Sequence, residues 1–129
     1  YIAIFAFMKK DEAKTRLLNG TKLEENWDSY GGLPADKECA KKACKFIDDF
    51  LIEPYFVCHG PNGECSIEYR TDVDKFQVEI IFNPESMKEL DTVLFCRKKE
   101  SHKLSMNGSF EYEEENEINV ENIKKFLGI

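Results

Sequence analysis

Cys65-Ser66-Ile67-Glu68-Tyr69-Arg70 and, after the turn Asp72-Val73-Asp74, Phe76-Gln77-Val78-Glu79-Ile80-Ile81-Phe82 decide the fold class. In the first run Cys65, Ile67 and Tyr69 alternate with Ser66, Glu68 and Arg70. In the second, Phe76, Val78, Ile80 and Phe82 alternate with Gln77 and Glu79. Residues two apart on a strand share one face of its sheet, so both runs read as strands with one apolar side. Asn83-Pro84 stops the second, because proline cannot donate to a ladder. Upstream, residues 55–58 read as another strand, joined to the first run by His59-Gly60-Pro61-Asn62-Gly63 with its Asn-Gly turn signal. Downstream, residues 91–98 and 104–112 read as two more, around a charged loop carrying His102. The spacing predicts an antiparallel meander of about 4–5 strands.

Helical patterns flank that meander. Residues 9–18 are good helix formers, with Ala13, Leu17 and Leu18 on one side and the stop signal Asn19-Gly20 behind them. Thr21, followed by Glu24 three residues later, reads as a capping box opening a short helical piece over residues 21–27. Asp36 is the natural N-cap of a long helix reaching about Leu51. Its Cys39, Ala40, Ala43, Ile47, Phe50 and Leu51 recur at three and four residues, while Lys41, Lys42, Lys45, Asp48 and Asp49 fill the other side. Asn119 caps a short closing helix with Val120, Ile123, Phe126 and Leu127. The expected architecture is a single α+β domain over residues 1–129. It is a two-layer sandwich in which N-terminal helices and a short C-terminal helix lie against the sheet. Residues 1–7 are apolar but too few to span a bilayer, which takes about 20. They read as an upstream extension or cloning remnant ahead of Met8, or, if native, as an edge strand or a contact between two copies.

With 25 acidic and 18 basic residues the net charge is −7. A duplex nucleic-acid binder needs a concentrated basic face, so this balance argues against one and suits a solvated protein or one that docks on a basic partner. The five cysteines, Cys39, Cys44, Cys58, Cys65 and Cys96, are odd in number and scattered. They read as reduced thiols of a cytoplasmic protein with no membrane segment and no cofactor.

Few constellations carry chemistry. Cys58-His59 and Cys65 flank a turn that sets the two thiols facing each other, with Cys96 and His102 on neighbouring strands. Yet no pair has zinc-ligand spacing, and adjacent strand residues such as Cys58 and His59 point to opposite faces. Glu68 and Glu79 fall on the polar sides of adjacent strands, where Arg70 or Lys75 offers each a cross-strand partner. Tyr69, Phe76, Phe95 and Phe110 make a nucleic-acid platform only if they face outward. The binding candidates are the basic loop residues Arg97, Lys98, Lys99, His102 and Lys103, together with the acidic run Glu113, Glu114 and Glu115. No catalytic or metal-binding residue is assigned.

The most distinctive stretch is Asn26-Trp27-Asp28-Ser29-Tyr30-Gly31-Gly32. Asp28 can accept from backbone amides and the glycines permit positive φ. Trp27 and Tyr30 are expected to pack where the helices meet the sheet. The stretch resembles the motif Asn-Trp-Asp-Gly-Tyr-Gly-Ala of a family of small prokaryotic and phage proteins. In that family a proline-containing turn, a long helix and two strands follow the motif. Leu33-Pro34, Ile67-Glu68-Tyr69 and Phe76-Gln77-Val78-Glu79-Ile80 stand at matching places. Ser29 replaces the family's Gly, Gly32 its Ala and Tyr69 a common Trp, and residues 85–117 are longer than usual. The resemblance implies an accessory protein of phages or toxin–antitoxin-like loci. The expected function is a non-enzymatic regulator or inhibitor of antitoxin, immunity or counter-defence type that masks a partner protein. The alternatives are a metal-dependent or thiol enzyme using Cys58, His59, Cys65 and Cys96, and a weak nucleic-acid binder using the loop from Arg97 to Lys103.

Overall fold

An alternating strand commits one face to burial, and a sheet forms where neighbouring strands bring those faces together. A computed structural model describes residues 7–71, 75–98 and 110–129. Its five strands are β1 (Phe56–His59), β2 (Cys65–Thr71), β3 (Phe76–Phe82), β4 (Thr92–Lys98) and β5 (Phe110–Glu115). They pair in chain order as an antiparallel meander. The helices are α1 (Lys10–Gly20), α2 (Lys37–Asp49) and α3 (Val120–Leu127). The architecture is α+β, as the patterning predicts.

The register explains the core. Ile67 lies opposite Ile80, which lies opposite Val93; Tyr69 lies opposite Val78, which lies opposite Phe95. These rows bury against Ala13 and Leu17 of α1, Ala43 and Ile47 of α2, and Ile123 of α3. Each fully buried Val, Leu or Ile side chain among them contributes about 1.5–3 kcal/mol. Tyr69 sits at the centre, with the Phe50 ring at 4.6 Å and the Phe46 ring at 6.0 Å.

Helix ends are held as their sequences suggest. Asp36 accepts from the Cys39 amide at 3.0 Å and opens α2, and Asn119 accepts from the Asn122 amide at 3.2 Å and opens α3. Lys10 Nζ donates to the Phe50 carbonyl at 2.6 Å, placing a cation at the C-terminal end of α2, where the helix dipole favours it. Lys14 meets Asp48 at 2.7 Å, a second tie between the two helices.

Two expectations fail. No helix forms over residues 21–27: the Thr21 hydroxyl reaches back to the Leu18 carbonyl at 2.6 Å instead of capping forward, and Asn26 takes a φ of +64°. Both choices end helical growth. The last strand also does not end at residue 112, since Phe110–Glu115 pairs with β4 and makes the acidic run part of an edge strand. Residues 104–109 of the expected strand lie outside those described.

The sheet face away from the helices carries Glu68 directly opposite Glu79. Arg70 takes Glu68, with Nε donating to Oε2 at 2.5 Å, and lies 3.8 Å over the Tyr55 ring. Burial, and then the charge of Glu68, push the Glu79 carboxyl above its usual range.

The Tyr69 hydroxyl is buried without a hydrogen-bond partner among the described residues. A buried polar group left unpaired costs about 1–3 kcal/mol. Tyr69→Phe is therefore expected to raise the unfolding free energy by about 1 kcal/mol, measured by urea denaturation. A fall in stability would mean that the hydroxyl is engaged in the folded protein.

Candidate interaction surface

The stretch between α1 and α2 is built by side chains folding back on their own backbone. Asn26 accepts from the Gly31 amide at 2.8 Å, and Asp28 Oδ1 accepts from the Tyr30 amide at 2.9 Å and the Gly32 amide at 2.8 Å. The Asn26 amide donates to the Gly32 carbonyl at 2.6 Å and closes the ring. These bonds favour the ionised form, so the Asp28 carboxyl sits below its usual range. Asn26, Ser29 and Gly31 have φ of +64°, +66° and +82°. Only Gly31 adopts such a conformation without a steric penalty; Asn tolerates it better than Ser.

Backbone bonds anchor this ring on both sides. The Ala35 amide donates to the Gly20 carbonyl at 3.0 Å, the Leu33 amide to the Pro61 carbonyl at 2.7 Å, and the Asp36 amide to the Gly63 carbonyl at 2.9 Å. Trp27 Nε1 donates to the Leu33 carbonyl at 2.6 Å, and the indole lies against the His59 ring at 4.9 Å. Gly20 makes room for that imidazole: a Cβ there would stand 2.7 Å from His59 Nδ1. His59 Nε2 is buried and lacks a partner among the described residues. Burial lowers the pKa of His59, while Glu64 opposes the shift.

With the polar groups turned inward, Tyr30 turns outward. Tyr30 is 92% exposed and Trp27 38%, with Leu18, Leu23 and Leu33 also exposed nearby in the chain. This corrects the expectation that both aromatics pack at the helix–sheet corner. Trp27 leans on the corner, whereas Tyr30 leaves it. The sequence signal was the spacing of Asn26 and Asp28 before two glycines, which favours a closed polar ring over an apolar wedge. Glu24, Glu25 and Asp28 against Lys22 make the segment acidic.

The other candidates are dispersed. Cys58 lies opposite Ser66, its Sγ 3.1 Å from the hydroxyl, while Cys65 lies opposite His59 on the other face. The two thiols therefore do not face each other, and Cys96 lies on β4, two strands beyond β2. Burial, and then the nearby Asp36, push the Cys39 and Cys65 thiols up to about 12, which suppresses the nucleophilic thiolate. Among the described residues no group of three or more His, Cys, Asp and Glu is placed to hold a metal ion. Tyr69 and Phe95 are buried, Phe76 is half-buried against Phe126, and Phe110 belongs to the opposite face, so no aromatic platform forms. Arg97 pairs with Glu111, Lys98 ends β4, and Lys99, His102 and Lys103 lie outside the described residues. Glu113 and Glu115 share one face of β5, and Glu114 takes the other. Among the described residues no helix is long and apolar enough to cross a membrane. No family model matches the sequence, and no curated protein or solved structure matches it.

Two outcomes test the geometry. Ser29→Gly relieves a left-handed conformation that costs a residue with a Cβ about 1–2 kcal/mol, partly offset by the freer unfolded chain. A gain of up to about 1 kcal/mol in urea denaturation is expected; a loss would mean that the Ser29 side chain holds the ring. His59 binds its proton less readily folded than unfolded, so its contribution is complete above the ordinary value of 6.5 and declines as pH falls below it. The urea midpoint should drop between about pH 7.5 and about pH 5.5, and should drop less in His59→Phe. Equal drops in the two proteins would remove His59 from the account.

Proposed function

We propose that this protein is a binding module that regulates or inhibits a partner protein by masking part of its surface. Its contact residues are those of the ring between α1 and α2. The observation that carries this reading is Tyr30, 92% exposed on a segment whose backbone is held by six internal and three anchoring hydrogen bonds. An aromatic side chain without a packing role, on a backbone already ordered, loses little entropy when it is covered. Tyr and Trp are the residue types that dominate binding energy at protein interfaces. The surrounding acids and the net charge of −7 favour a basic face on the partner. The resemblance of residues 26–32 to the motif of phage and mobile-element accessory proteins points the same way, towards an antitoxin-, immunity- or counter-defence-type inhibitor.

Tyr30→Ser provides the test, because it removes a side chain that the fold does not use. Its unfolding free energy should stay within about 0.5 kcal/mol of the parent. Its affinity for a partner recovered with the parent protein should fall about thirtyfold, as for a hot-spot residue worth about 2 kcal/mol. Unchanged affinity in a folded Tyr30→Ser protein would place the contact elsewhere.

A further inference from the structure

At the opposite edge of the sheet the helical layer stops short. α3 covers β3 and β4, with the Phe126 ring 5.5 Å from Phe76 and 5.0 Å from Phe95. Beside it, over β4 and β5, runs a cleft of about 770 Å³. Its aromatic side is formed by Phe76, Phe95 and Phe126, and β5 contributes Glu113 and Glu115. Among the described residues β5 is the last strand in the sheet order, and the backbone groups on its outer side have no strand to pair with.

We propose that this edge binds an extended segment of a partner protein carrying Lys or Arg at every second position, added to β5 as a sixth strand. Charge and spacing select this occupant. Arg97 is already engaged by Glu111, whereas Glu113 and Glu115 have no ion pair among the described residues. Among the described residues Lys125 is the other cation lining the cleft, and one lysine leaves two glutamates under-compensated there. Same-face residues of a strand repeat at about 6.8 Å, so alternate side chains of an added strand meet Glu113 and Glu115 in turn. The methylene stems of Lys or Arg suit the adjoining aromatic surface, and their charged heads reach the carboxylates. A second copy of this chain is a poor occupant, because pairing two β5 strands sets glutamates against glutamates. Main-chain bonds supply affinity and the alternate cations supply selectivity, as in other strand-addition complexes.

The test uses the full chain and a fluorescent Lys-Val repeat peptide of about ten residues, long enough to span the edge. Fluorescence anisotropy at low salt should register saturable binding that a Glu-Val repeat does not reproduce. Glu113→Gln with Glu115→Gln should weaken binding by about tenfold or more, while Glu24→Gln with Glu25→Gln, which removes the same charge elsewhere, should leave it within about twofold. N-methylation of alternate amides, on the edge that would pair with β5, should abolish binding. Tyr30→Ser should leave it unchanged, which separates this edge from the aromatic ring. Failure to bind, equal binding by the N-methylated peptide, displacement by spermine at equal charge concentration, or indifference to the β5 substitutions would each overturn the proposal.

Discussion

Three backbone hydrogen bonds hold the two layers in register: Ala35 to Gly20, Leu33 to Pro61 and Asp36 to Gly63. The first fixes the entry to α2 against the exit from α1. The other two fix it against the turn between β1 and β2. Once Asp36 is placed, its side chain caps α2, and Ala40, Ala43 and Ile47 face the sheet. The same bonds carry the ring that presents Tyr30. Fold and candidate surface therefore share one anchor, and the surface is rigid for the same reason that the helices are correctly seated.

The sheet distributes charge unevenly. Its centre is apolar on the helix side, with Tyr69, Val78 and Ile80 fully buried. Its far face admits Glu68 and Glu79 side by side, tolerated because Arg70 pairs with one and burial raises the pKa of the other. β5 then ends the sheet with glutamates on both faces. Acidic edge strands resist pairing with their own kind, which is one common way a sheet avoids aggregation. The same chemistry leaves the edge open to a strand of opposite charge.

Much of the fold was legible because the periods were clean. Alternation over residues 65–82 and the Asp36-capped helical repeat are local patterns that tertiary packing only has to confirm. The helix expected over residues 21–27 failed for an equally local reason: Thr21 could bond forwards or backwards, and spacing alone does not choose. The expected last strand ended at residue 112, short of Glu113–Glu115, because pairing with β4 is a long-range event that propensity disfavours for glutamate. At the candidate surface, the capping by Asp28 was readable from composition. The outward direction of Tyr30 was not, since it depends on three-dimensional closure of the ring.

The single-sided support of β5 has a kinetic consequence. β2 and β3 have strand neighbours on both sides and helices above them, whereas among the described residues β5 pairs with β4 alone and buries little apolar surface. Amide protons should therefore exchange in a gradient across the sheet, slowest at Ile67 and Ile80 and fastest at residues 110–115. The protein would open from its acidic edge inward while the aromatic ring at the other edge stays assembled. An occupant on β5 would be read out as slowed exchange at a distance from the ring.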